Sequence, residues 1–459
     1  METSPFRIIE HSIPAQHIRD HHHAIRGRQE TALRLAIKQY IPVDRPDPIP
    51  EHAVTIIGAH GTGFPKEIYE PLWEDLYAQM KQHSIPLRAI WVADVSNQGA
   101  SGVLNEDIQG DHTNWFDHSR DLLHMVNHFR EEMARPIIGV AHSMGCAQLV
   151  QLSIMHPRLL STLILIEPVI LDFAGRTARS PNPSRSAALR RDLWPSRAAA
   201  ESALRKSLLR RWDPRAASRY LHFGLRELPT RLYPVVDPST APNLGDSNSS
   251  NSSNNGNNSA NPPIAQNPPP APPPPTAVTL TTTKHHEAWS YSVPNLEPAR
   301  ARLDPLLLPD WDADFERPFR VSRPECQISM RNLPFVRPSV LWVFGGKSAL
   351  SPPAEQDKKV RLTGAGAGGS GGVAAGKVEK AVLGTGSHML VVEEVGWCAA
   401  TVAGWLRGWF TRYEEEERFW AVYRSRKSEG GEMLRLSGEG LEAAVGDLGV
   451  ERPRGMGKL

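Results

Sequence analysis

Pro136-Ile137-Ile138-Gly139-Val140-Ala141-His142-Ser143-Met144-Gly145 is the stretch that decides the fold. An apolar run of strand length enters a turn of the form small-x-Ser-x-Gly and continues into a helical pattern through Met155. Such a turn forces its serine into a strained backbone conformation, so the residues two positions to either side must be small. The helix that follows favours negative charge beside the serine hydroxyl. Ser143 is therefore the candidate nucleophile. Ala141 stands where Gly is more common, a departure that its single methyl group allows.

Working outward, the same alternation recurs. Val54–Ala59 reads as a strand, followed by Ile68, Leu72, Leu76 and Met80 at helical spacing across 66–80. Arg88–Val95 is a second strand, and 114–130 a second helix with Asp117 and Asp121 near its start, where the helix dipole favours them. After the strand 136–141 come Thr162–Ile166, Ser339–Phe344 and Val378–Leu383. Apolar strands without polar alternation, separated by helices, predict an α/β fold with a mostly parallel central sheet flanked by helices.

The interval 172–337 shows no comparable strand. Leu204, Leu208, Leu209 and Trp212 predict a helix over 196–212, and Asp213-Pro214 the start of another. The many arginines here, Arg190 and Arg215 among them, read as solvated helix faces. The interval is an insertion, mostly helical, between the fourth and fifth of these strands.

Acyl transfer needs more than a nucleophile. Two backbone N–H groups must face the developing oxyanion: Met144, directly after the serine, gives one, and Thr62, in His60-Gly61-Thr62-Gly63 at the end of an earlier strand, gives the other. A base should follow the last strand, where His388 lies in Gly384-Thr385-Gly386-Ser387-His388-Met389. The acid is expected in a Gly-x-x-Asp turn, yet here the turn reads Gly345-Gly346-Lys347-Ser348, and a serine carries no charge. Glu167, at the tip of Thr162–Ile166, is the alternative, because strand tips along this sheet edge face one site. Two further motifs lead nowhere. His21-His22-His23 has no partner at metal-ligand spacing, and Gly364–Gly369 lacks the strand and helix of a dinucleotide site, which leaves it as a flexible connection. No cofactor and no metal are called for.

Composition limits the function classes. Lys and Arg (52) nearly balance Asp and Glu (50), which argues against a nucleic-acid partner. Pro (40) and Gly (35) together exceed the roughly 12% of average usage. Much of the excess sits in a Ser/Asn/Pro-rich tract at about 238–276, which has no apolar surface to offset ordering entropy and is expected to be disordered. Three scattered cysteines, Cys146, Cys326 and Cys398, suit a reducing compartment. The N-terminus has no signal-peptide pattern, and no apolar run reaches the ~20 residues of a membrane span.

Taken together, these residues resemble the α/β-hydrolase superfamily. More narrowly, they are similar to a fungal branch that contains the yeast peroxisomal lipase and the hydrolases of AK-toxin biosynthesis. The likeness rests on His60–Glu67 running on to Tyr69–Trp73, on Ile90–Asp94 leading to Gln98-Gly99, on Asn114–Asp117, on Ile166-Glu167-Pro168 and on Phe344–Ser348. It implies the α/β-hydrolase fold with a helical cap inserted after the sixth strand of the family fold. Residues 1–171 and 338–412 would form the core, 172–337 the cap and 413–459 a C-terminal extension. It also implies a Ser143-His388-Glu167 triad that cleaves small lipid-like carboxylic esters through an acyl-enzyme. A thioesterase or acyltransferase would use the same residues, and a non-catalytic small-ligand binder is the reading that the missing Asp at 348 keeps open. Members of the branch carry a C-terminal peroxisomal tripeptide. Gly457-Lys458-Leu459 matches two of its three positions, so an import receptor is a possible partner and the expected location is peroxisomal or cytoplasmic, not secreted.

Overall fold

The central sheet is what the unbroken apolar runs predict, with two further strands at its N-terminal edge. The computed structural model describes residues 4–171, 183–234, 276–294 and 321–425, and three isolated positions at 438, 440 and 444. Almost all of the Ser/Asn/Pro tract and the tripeptide 457–459 lie outside the described residues. The chain divides into two compact units, Met1–Ala403 and Gly404–Leu459.

Within the first unit the chain forms β1 (Phe6–Pro14), β2 (Arg34–Pro42), β3 (Val54–Ala59), β4 (Leu87–Ala93), β5 (Ile137–His142) and β6 (Thr162–Ile166). The short strands β7 (Leu193–Trp194), β8 (Leu225–Glu227), β9 (Val278–Leu280), β10 (Val293–Pro294) and β11 (Val321–Ser322) follow. The sequence then returns to the main sheet with β12 (Ser339–Gly345) and β13 (Val378–Leu383). Eight strands make that sheet in the order β1-β2-β4-β3-β5-β6-β12-β13. From β4 to β13 every pairing is parallel, whereas β1 and β2 are antiparallel additions. Sequence periodicity missed β1 and β2. In β1, Arg7, Glu10 and His11 break the apolar pattern because it is an edge whose outer face meets water, whereas β2 is interior and its buried Lys38 breaks the pattern by pairing with Glu67 and Glu70.

Every residue of β3, β5, β6 and β12 is buried, as a sheet covered on both faces requires. Trp91 and Trp342 are fully buried within this core. The helix Trp115–His128 starts where expected, with the Asn114 side chain accepting from Phe116 N–H, and packs beside the helix Met144–Met155.

Four local readings need correction. The helix expected over 196–212 ends at Lys206, and Leu209 and Trp212 reach the core from a turn instead. Between β6 and β12 the chain is not free of strands, since β7, β9 and β8 form a small antiparallel sheet. The glycine-rich segment is not a loose connection: Gly364, Gly366 and Ser370 donate backbone hydrogen bonds to Leu333, Pro334 and Val336. The helix Pro214–Phe223 does begin at Asp213, whose side chain accepts from Arg215 N–H at 2.8 Å. Arg190 is not a solvated arginine, because it pairs with buried Glu287 at 2.7 Å. In the second unit, the described chain completes the helix Val395–Ser425. No helix among the described residues is long and apolar enough to cross a membrane.

Gly145 is the tightest point of the turn after β5. A Cβ there would lie 2.3 Å from the Ala59 carbonyl oxygen. Gly145→Ala is expected to destabilise the chain by about 1–3 kcal/mol through overpacking. The measurement is the denaturant midpoint, which should fall at an unchanged slope.

Candidate active site

Four turns at the carboxyl ends of β3, β5, β6 and β13 converge. Parallel pairing brings them together: His142 lies opposite Ile166, and Gly345 opposite Leu383, so residues just past these positions share one edge. Ser143 follows β5 with φ +57°, in the left-handed region that L side chains avoid. Ile166 O accepts from Ser143 N–H at 3.0 Å, and Val169 N–H donates to Ser143 O at 3.1 Å. Glu167 follows β6 and is the mirror case, with φ +47° and its N–H donating to Val343 O at 2.8 Å. Each strained backbone costs about 1–3 kcal/mol and persists because neighbouring strands over-determine it.

The side chains meet in order. Ser143 Oγ lies 3.0 Å from His388 Nε2, and His388 Nδ1 lies 3.0 Å from Glu167 Oε2. The other carboxylate oxygen of Glu167 accepts from Gly345 N–H at 2.6 Å. Glu167 is fully buried, whereas the His388 side chain keeps 28% of its surface exposed and is the member open to a small molecule. Ser348 does not join this group, since its hydroxyl accepts from Leu350 N–H.

Thr62 and Met144 are also side by side, Thr62 Oγ1 donating to Met144 Sδ at 3.3 Å. Their backbone N–H groups have no partner among the described residues. The loop that carries Thr62 is held from below. His60 Nδ1–H donates to Gly61 O at 2.9 Å while its Nε2 accepts from Val95 N–H. Because the peptide unit is planar, fixing the Gly61 carbonyl also fixes the Thr62 N–H that shares its plane. Gly63 N–H donates to Gln98 Oε1 at 2.7 Å, and Lys66 Nζ pairs with Asp94 at 2.6 Å in a buried contact. From above, Glu287, on the helix Lys284–Tyr291, packs against Gly63, where a Cβ would lie 2.8 Å from its carboxyl carbon. Phe64 adds an aromatic surface, with Trp212 and Tyr220 rings at 5.5 and 6.2 Å.

Sequence reasoning missed Tyr69, His142, Gln98 and Glu287. His142 lies inside the decisive decapeptide, but nothing in its type or spacing says where its ring points. The histidine cluster of the sequence lies elsewhere, with His21 stacked on His112 at 3.4 Å and His23 3.7 Å from Asp111.

Comparison with known proteins agrees with the architecture. Residues 56–247 match the model of the "Alpha/beta hydrolase family". The chain is 35% identical over 435 residues to the type I acyl-CoA thioesterase mpaH of Penicillium roqueforti, covering 93% of this chain and 94% of that one. A shorter match, 41% over 90 residues, covers 18% of this chain and 30% of the abhydrolase domain-containing protein AKT2 of Alternaria alternata. Among solved structures, the peroxisomal alpha-beta-hydrolase Lpx1 of Saccharomyces cerevisiae superposes with a TM-score of 0.60. It is 17% identical, with 93% of this chain and 99% of that chain covered, and so supports the fold alone.

Burial also sets a pH dependence. Desolvation pushes the His142 pKa down to about 3, with the nearby His388 adding to the effect, and desolvation lowers that of buried His118 well below its usual value. A histidine that stays neutral when folded takes up its proton only when unfolded, so acid favours unfolding. Stability from these groups is complete above about pH 6.5 and falls as pH drops toward the depressed folded values. The thermal midpoint should fall from pH 7 to pH 4, and His142→Asn should make that slope shallower. An unchanged slope would mean that His142 is protonated in the folded chain. The parallel sheet, the strained serine turn and the full-length relatives agree on one identity: the chain belongs to the alpha/beta hydrolase family and is a hydrolase.

Proposed function

We propose that this chain is a serine thioesterase acting on acyl-coenzyme A thioesters, with Ser143 as nucleophile, His388 as base and Glu167 as the acid that orients it. The observation that carries this reading is the continuous contact from Ser143 Oγ to His388 to Glu167, each step 3.0 Å. The thioester is favoured over the carboxylic ester expected from sequence because the relative aligned along nearly its whole length is an acyl-CoA thioesterase. Against a non-catalytic binder stands Glu167, which supplies the carboxylate that position 348 lacks.

In the proposed reaction, His388 Nε2 takes the Ser143 proton as the serine oxygen adds to the acyl carbonyl. The oxyanion is held by the N–H groups of Thr62 and Met144, whose amides are free to receive it. Collapse breaks the carbon–sulfur bond, and His388 returns its proton to the departing thiolate. A water then gives a proton to His388 and adds to the acyl-enzyme. Collapse of that second intermediate restores the Ser143 hydroxyl and releases the carboxylic acid. Throughout, Glu167 accepts from His388 Nδ1–H and stabilises the imidazolium without itself being protonated. Phe64, half-buried just past Thr62 and backed by the buried rings of Trp212 and Tyr220, suits an apolar acyl group.

A fluorophosphonate probe should label Ser143 in the folded chain, and Ser143→Ala should abolish both labelling and acyl-CoA hydrolysis. Glu167→Gln should lower kcat by about 10⁴, and adding Ser348→Asp should not restore it. Steady-state kinetics on acyl-CoA and on the matching p-nitrophenyl ester check both points. A preference for the ester would return the reading to a carboxylesterase, and near-normal turnover by Glu167→Gln would remove that residue from the triad.

A further inference from the structure

Tyr69 and His142 are buried beside the triad, yet no step of the proposed reaction uses them. Their hydrogen bonds run in one determined direction. His142 Nε2 lies 3.1 Å from the carbonyl oxygen of His388. A carbonyl can only accept, so the proton of a neutral His142 sits on Nε2 and its Nδ1 is an acceptor. Tyr69 Oη lies 2.9 Å from that Nδ1 and therefore donates to it. The remaining lone pairs of the same hydroxyl accept from Gly61 N–H at 2.8 Å. The chain of contacts thus reads Gly61 N–H to Tyr69 O–H to His142 ring to His388 carbonyl. At one end is the residue before Thr62, and at the other is the backbone of the base.

We propose that Tyr69 and His142 are positioning residues that hold the oxyanion loop and the base loop at a fixed separation. The proposal rests on the serine-hydrolase reading of the site. Three features support it. His142 and Tyr69 are each almost completely buried, so neither hydrogen bond competes with water. Gly61 has no room for a side chain, because a Cβ would lie 2.8 Å from His142 Nδ1. The two imidazole rings of His142 and His388 are 5.3 Å apart, so a charged His142 would oppose the imidazolium on His388, and burial keeps it neutral.

Packing alone would let Tyr69→Phe and His142→Leu lower stability and leave turnover intact. The positioning role makes a different prediction. Each variant should lower kcat by about 10–100-fold on acyl-CoA, because misplacement by about 1 Å costs up to 10²-fold, while KM stays within about twofold. The double variant should be about as slow as the slower single one, since either substitution breaks the same link. His142→Gln, whose amide keeps a donor near the Nε2 position, should recover most of the loss. Rates are normalised to the fraction of chains titrated by fluorophosphonate, which removes any loss of folded protein. Singles within twofold of the parent, or losses that multiply in the double variant, would overturn the proposal and leave the serine-hydrolase reading standing. Failure of the parent chain itself to label at Ser143 would overturn both.

Discussion

Glu167 is fully buried, and a carboxylate in that position needs a partner for each of its oxygens. One is taken by the Gly345 amide and the other by His388. An unpaired charge would cost several kcal/mol after relaxation, so the arrangement is demanding in both directions. His388 cannot swing away without stranding Glu167, and β12 cannot shift in register without losing the amide that orients it. Gly345 ends β12, Glu167 follows β6 and His388 follows β13, so three segments far apart in sequence are tied at one point.

The loop that carries Thr62 is held by a comparable but separate device. Lys66, which follows the loop, is buried against Asp94 and Glu67, and Lys38 joins Glu67 and Glu70. This cluster of buried charges is paired throughout, and Asp94 also accepts from the Lys66 and Ala100 amides. Such a network adds little net stability, but removing one member leaves another uncompensated. Its place directly behind Thr62 means that the loop inherits the rigidity of the network. The Tyr69–His142 contacts then lie between the two devices, connecting the loop over the network to the backbone of His388.

Two residues in the site occupy backbone conformations that L side chains avoid, and both follow parallel strands. Ser143 and Glu167 are strained for the same reason: a chain leaving one central strand must turn sharply to enter the next element while its side chain stays at the sheet edge. Ser143 has Gly145 two residues on to relieve the crowding, and the sequence shows it. Glu167 is followed by Pro168, which gives no such relief. A backbone hydrogen bond from its N–H to Val343 O of β12 holds it instead, and no local pattern advertises it.

By itself, the sequence determined the parallel core, the serine turn and the chain order Ser143, Glu167, His388. Unbroken apolar strands and a small-x-Ser-x-Gly turn are local signals with a local physical cause. It also pointed to Glu167 by elimination, since Ser348 cannot bear charge. Only the tertiary structure decided that Glu167 reaches His388, because that depends on the registers of β6 against β12 and of β12 against β13. The edge strand β1 was illegible since its outward residues answer to solvent, and β2 since its buried Lys38 answers to carboxylates that only the fold brings near. Tyr69 and His142 were illegible for another reason. Their role lies in the direction of hydrogen bonds between turns that meet only when the sheet has assembled.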